Sequence, residues 1–154
     1  MADSHHEATG GAATGARADG TGRSLQCIVV TPEATVLDTP AEFVALPLYD
    51  GEIGIAPGHS PMIGRLGYGE MRVRSAGQTT RYYIDGGFVQ VADNVVSVLT
   101  NRAVPASQLD PQVASEHLTA ARSRRADSEE SLAERSRAEA QARAQLRVAQ
   151  RAKV

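Results

Sequence analysis

Few residues in this sequence have the type and spacing that chemistry demands. His59 stands between Pro57 and Pro61, with Asp50 and Glu52 just upstream and Asp85 further along. A histidine with a carboxylate partner can serve as a general base for hydrolysis, with Asp50 or Asp85 as that partner. Such a base needs a nucleophile or acid within hydrogen-bond reach, and the sequence singles out none. Cys27 is the lone cysteine, and it is followed by Ile28, Val29 and Val30. No intramolecular disulfide can form, and an apolar setting favours an inert buried thiol over a nucleophile. His5 and His6 are adjacent, but they lie in a Gly-, Ala- and Thr-rich stretch without further metal ligands. Neither a GxxxxGK[ST] phosphate loop nor a metal-ligand cluster is present. The chain reads as non-catalytic, with no cofactor and no metal.

Three zones must position these residues. Residues 1–23 hold almost no large apolar side chain, so they are expected to form a disordered extension. Residues 24–104 read as β structure. Short runs rich in Val, Ile, Leu and Tyr alternate with turn signals at Asp50-Gly51, Pro57-Gly58, Ala76-Gly77, Asp85-Gly86-Gly87 and Asp93-Asn94. Met71, Arg72, Val73 and Arg74 place apolar and charged side chains on opposite faces of one strand. Turns every 8–12 residues or so predict an antiparallel sandwich or barrel rather than a parallel α/β sheet. Gly54 falls inside a strand, where a Cβ would meet a neighbour. Residues 105–154 form a helical tail. Past Pro111 there is no further Gly or Pro, and Ala, Arg, Glu and Gln dominate. Asp110 before Pro111 supplies an N-cap and a first helical residue. A break near 126–131 predicts two helices, about 111–126 and 131–151, although one continuous helix also fits. Their large aliphatic residues are sparse, so the tail should be marginal alone.

Composition excludes several classes. A formal charge of −2 supplies no field that would draw nucleic acid. No run of apolar residues is long enough to span a membrane. The first 23 residues lack the apolar core of a secretory signal and are too acidic for a transit peptide.

Leu46–Pro61, read with Thr31–Glu33, Tyr68–Arg74, Asp85–Leu99 and Leu109–Ala114, resembles the epsilon subunit of bacterial F-type ATP synthases over about residues 24–150. That resemblance implies a ten-stranded antiparallel β-sandwich followed by a C-terminal two-helix hairpin. It implies a peripheral place at the cytoplasmic face of the bacterial inner membrane, reached only through the complex. The implied partners are the gamma subunit and the c-ring, with catalytic alpha/beta subunits within reach of the tail. The implied contact residues are Glu52, Gly58, His59, Ser60 and Pro61, with Glu52 paired to a basic residue of the ring.

In some members of that family the tail binds ATP or extends to stop rotation. This sequence departs from the nucleotide motif. Val113 stands where an arginine is expected, and Gln141 and Gln145 replace two more. Asp110, a remnant of the motif, is then better explained as an N-cap, and no nucleotide site is expected. Inhibition by an extended tail needs no such site, and Arg122, Arg124, Arg125, Arg135 and Arg137 could meet acidic surface on catalytic subunits. Rival readings are a free-standing β-sandwich binding module, a small hydrolase built on His59, and the organellar counterpart of the same subunit.

Overall fold

Residues 24–152 are described by the structure, a computed structural model. The apolar runs form eight strands: β1 (Leu25–Val30), β2 (Thr35–Ala41), β3 (Phe43–Leu48), β4 (Gly51–Ile55), β5 (Met62–Ser75), β6 (Gln78–Ala92), β7 (Val95–Leu99) and β8 (Ala103–Pro105). They share one hydrogen-bonded network in the order β2-β1-β7-β6-β5-β3-β4, with β8 paired to β6. Every pair is antiparallel except β1 with β7.

Two expectations are corrected here. The described residues hold eight strands rather than ten, and one neighbouring pair is parallel. β5 and β6 are long, of 14 and 15 residues, and β6 runs straight through Asp85-Gly86-Gly87, which reads as a break. β6 pairs with β8 through Tyr82–Ile84 and with β7 through Phe88–Ala92. Between these halves, Gly86 at φ +70° and Gly87 at φ +106° re-aim the strand without ending it. A Cβ on Gly87 would lie 1.9 Å from the Leu99 carbonyl oxygen, so glycine is required there.

A single network still makes a sandwich, because it rolls on itself. Only Glu42 separates β2 from β3, yet four strands lie between them in the sheet order. One residue spans about 3.5 Å, so the sheet must curl until β2 reaches β5 and β3. Ser75 Oγ donates to the Pro40 carbonyl at 2.8 Å, and Glu42 N donates to the Arg74 carbonyl at 2.8 Å, which fastens the closure. The inner face buries Leu25, Val29, Val44, Leu46, Ile55, Met71, Ile84, Val89, Val96 and Val98 completely. Each such side chain contributes about 1.5–3 kcal/mol. Gly54 behaves as expected, since its Cβ would press on the Phe43 ring at 2.7 Å.

A 3-10 turn (Ala106–Gln108) leads into α1 (Pro111–Arg122) and α2 (Glu129–Ala152). Asp110 Oδ1 accepts from Gln112 N at 2.9 Å, capping α1. Ahead of α2, Ser128 and Ser131 exchange bonds reciprocally: each hydroxyl oxygen accepts from the other residue's amide, at 3.1 and 3.0 Å. This is a serine form of the capping box, and it starts α2 within the expected range, although α1 ends at Arg122, earlier than the expected 126. α2 lies across β5 and β6, while α1 packs on α2. The seam with the sheet buries Tyr83, Ala106, Ala144 and Val148.

Candidate functional site

The expected contact residues separate into two places. Gly58, His59, Ser60 and Pro61 form the connection from β4 to β5. Pro57-Gly58 turns the chain, with Gly58 at φ +84°, and His59 N donates to the Ala56 carbonyl at 3.2 Å. Asn94, in the turn from β6 to β7, reaches across. Its Oδ1 accepts from Gly58 N at 2.7 Å, and its carbonyl accepts from Gln26 N at 2.8 Å. The connection is thus bolted to the sandwich at two turns, which limits its freedom. The expected disordered extension, residues 1–23, lies outside the described residues, as do His5 and His6.

His59 is half-buried, and its Nδ1 faces the Ser60 carbonyl oxygen at 2.7 Å. Neither Asp50 nor Asp85 is among its hydrogen-bond partners. Asp85 Oδ1 instead accepts from the Tyr83 hydroxyl at 2.8 Å and from Gln141 Nε2 at 3.0 Å. The general-base arrangement is therefore not assembled. Cys27 is fully buried, and that burial pushes its thiol from near 9 up to about 12, with the Asp38 charge adding to the effect. A thiol so held is a poor nucleophile.

Glu52 lies at the other end of β4, away from the His59 connection. It is paired within the chain: Arg72 Nη2 donates to Glu52 Oε1 at 2.6 Å. Arg72 also meets Glu70 Oε1 at 3.4 Å, and Arg81 Nη1 meets the same oxygen at 2.9 Å. The register produces this ladder, because Glu52 and Arg72 flank β3 opposite Pro47 and Ala45. The hydrogen bond to Glu52 is the main reason that the Arg72 guanidinium is held above its usual range. Glu52 is half-exposed, so the pair contributes only about 0–1 kcal/mol.

A second surface was not read from the sequence. Ile63, Phe88 and Leu99 are 78%, 57% and 54% exposed. Phe88 pairs with Arg65 on one side and Leu99 on the other, and Ile63 lies two residues before Arg65. They therefore share the outer face of β5, β6 and β7. The signal was present in Phe88-Val-Gln-Val91, whose alternation sends an aromatic outward with Gln90.

Gln141 and Gln145, the positions where arginines were expected, serve the seam. Gln141 donates to Asp85, and Gln145 hydrogen-bonds the Tyr83 hydroxyl. Burial, and then the Asp85 charge, push the Tyr83 phenol well above its ordinary value. Asp110 directs one carboxylate oxygen at its own helix.

Comparison with known proteins agrees with the geometry. Residues 24–106 match the ATP synthase Delta/Epsilon chain β-sandwich domain. An ATP synthase epsilon chain of Rhodopirellula baltica is 54% identical over 98 residues, covering 64% of this chain and 77% of that one. The chain belongs to the ATP synthase epsilon-chain family. As a member, it is a non-catalytic subunit. A second epsilon chain, from a Synechococcus strain, is 41% identical over 59% of this chain and 66% of its own length. Among solved structures, a chain of the Euglena gracilis mitochondrial ATP synthase, in a structure of OSCP, F1 and c-ring, has a TM-score of 0.75. Its identity is 22%, over 96% of this chain and 90% of that one, so it shares the fold. No helix among the described residues is long and apolar enough to cross a membrane.

Proposed function

We propose that the chain is a coupling subunit of the central stalk, joining the gamma subunit to the c-ring during ion-driven ATP synthesis. It would do so at the cytoplasmic face of the bacterial inner membrane, held there by the complex. The observation that carries this reading is a stiff sandwich with two distinct contact surfaces. The connection through Gly58, His59, Ser60 and Pro61, clamped by Asn94, suits the polar loops of the c-ring. The outward row of Ile63, Phe88 and Leu99 suits the gamma subunit, because exposed apolar side chains of this size mark protein interfaces. Glu52 can reach a basic residue of the ring only in competition with Arg72, so its role is alignment more than affinity.

The helical hairpin acts as a conditional brake on ATP hydrolysis. It is anchored mainly by alanines, and a docked form held by few contacts can be displaced by a partner that favours the extended form. Once extended, Arg122, Arg124, Arg125, Arg135 and Arg137 meet acidic surface on catalytic alpha/beta subunits.

ATP hydrolysis by the purified cognate ATPase, measured with the full chain, with a chain ending at Gln108 and with Phe88→Asp, tests both parts. Binding by the first two, inhibition by the full chain alone and loss of binding for Phe88→Asp are expected. Equal binding by Phe88→Asp would remove the apolar face from the gamma interface. Equal inhibition by both lengths would remove the brake.

A further inference from the structure

Between the sheet and α2 lies an open cleft of about 1170 Å³. Arg65 enters it from the sheet, and Arg137, Arg143 and Arg147 enter from α2. These groups are poorly neutralised. Among the described residues Arg137 and Arg147 join no ion pair, and Arg143 meets Glu139 only at 4.0 Å. Arg65 lies over the Tyr49 ring, 4.5 Å from its centroid. Asp85 also lines the cleft, but its carboxylate already accepts from Tyr83 and Gln141. Four arginines thus share the cleft with the single Asp85 carboxylate, and the cleft keeps an excess of positive charge.

Resting on the stalk-subunit reading above, we propose that this cleft receives an acidic peptide segment of the protein that covers the neighbouring apolar face, and that its occupancy holds the hairpin against the sheet. Length favours a peptide over a compact anion. Helical rise puts Arg137 and Arg147 about 15 Å apart along one wall, which four or five extended residues would span at about 3.3 Å each. The mouth is apolar as well as basic. Tyr49 is 71% exposed, and Phe88 lines the cleft while also belonging to the outward row. A segment that alternates carboxylate and apolar side chains would satisfy both characters, and arginine beside aromatic rings is the composition of interface anchors.

The consequence is mechanical. One wall belongs to the sheet and the other to α2, so the full site exists only when the hairpin is docked. A ligand that binds only that state stabilises it by mass action. Docking of the partner and retention of the tail become one event.

The test uses the full chain and the isolated gamma subunit. Affinity is measured by calorimetry at low and high salt, and amide exchange in α2 is followed with and without gamma. The wild-type chain should bind, with α2 exchange slowed by gamma. Combined Arg137→Gln, Arg143→Gln and Arg147→Gln should weaken binding about 30-fold, flatten its salt dependence and abolish the slowing. Arg65→Gln, which leaves the helix untouched, should shift both readouts in the same direction, and lysines at the three helix positions should restore most of the salt slope. Unchanged affinity and salt slope in both glutamine variants would overturn the proposal. So would equal slowing of α2 exchange by inorganic tripolyphosphate without gamma, because the occupant would then be a small polyanion. Failure of the wild-type chain to bind gamma at all would instead overturn the stalk-subunit reading.

Discussion

The sandwich and the hairpin are held by different side chains. Inside the sheet, Leu25, Val29, Val44, Leu46, Ile55 and Ile84 are completely buried. In the hairpin, the buried residues are Ala114, Leu118 and Ala121 from α1, and Ala142, Ala144, Val148 and Ala149 from α2. A buried leucine contributes about 1.5–3 kcal/mol, whereas each methylene-sized group contributes about 0.8. Alanine-lined helices approach closely but gain little from leaving water. The sheet is thus built as a fixed platform, and the hairpin as something that rests on it. The polar clasp made by Tyr83, Asp85 and Gln141 adds a directional bond across the seam, from Gln141 to the Asp85 carboxylate, and a bond to a charged group contributes about 1.5–3 kcal/mol.

The sharpest way to break this contrast is to damage the platform without touching a core side chain. Gly87→Ala would drive a Cβ into the Leu99 carbonyl and impose φ +106° on an L-residue. A loss of about 4 kcal/mol is expected, seen in urea unfolding as a lowered midpoint for sheet and tail together. A loss under 1 kcal/mol would mean that β6 can shift away from β7.

Alkaline titration probes the same platform through Cys27. Its folded pKa, about 12, lies above the ordinary thiol value near 9. The native state therefore holds its proton longer, and the contribution is intact below the unfolded pKa and lost as pH rises towards 12. Between pH 9 and 10.5 the chain should lose about 2 kcal/mol. Tyr83, whose pKa is also raised by burial, acts in the same direction. Unfolding midpoints across this range should fall less steeply for Cys27→Ala, and an equal slope would assign the effect to Tyr83.

The difference between the two regions also explains what was legible in the sequence. Alternation in Met71–Arg74 correctly sends Met71 and Val73 inward, and Asp110 with Pro111 correctly opens α1. Such signals are local. Asp85-Gly86-Gly87 reads as a turn because glycine pairs usually mark turns. Only the nearness of Leu99, twelve residues away, shows that they serve a bend within a strand. Nor could the parallel pairing of β1 with β7 be read, since it brings together residues as far apart in sequence as Gln26 and Val95. For the site, the loop position of His59 followed from its flanking prolines. The Asn94 clamp did not, because it joins turns 36 residues apart. Glu52 looked free in sequence, and only the strand register supplied Arg72 as its partner.

In the hairpin, Val148→Ala should remove about 1.5 kcal/mol of docking energy, two methylene-sized groups at ~0.8 each. Amide exchange in α2 should quicken accordingly while exchange in β1 and β7 stays unchanged. Faster exchange in the strands as well would show that the hairpin is part of the platform.

Asp110→Ala is expected to have the smallest effect, about 1 kcal/mol. Asp110 supports α1 through a single bond to Gln112 N, and α1 packs on α2 rather than on the sheet. Loss of the cap should fray the first turn of α1, leaving Ala114 less protected and Val148 as protected as before. Exchange at Gln112, Val113 and Ala114 would measure this directly, while Asp110→Asn, which keeps an accepting oxygen, should restore most of the protection. If α2 also opened in Asp110→Ala, the two helices would undock as a unit, and a weakened cap on α1 would suffice to release the whole hairpin.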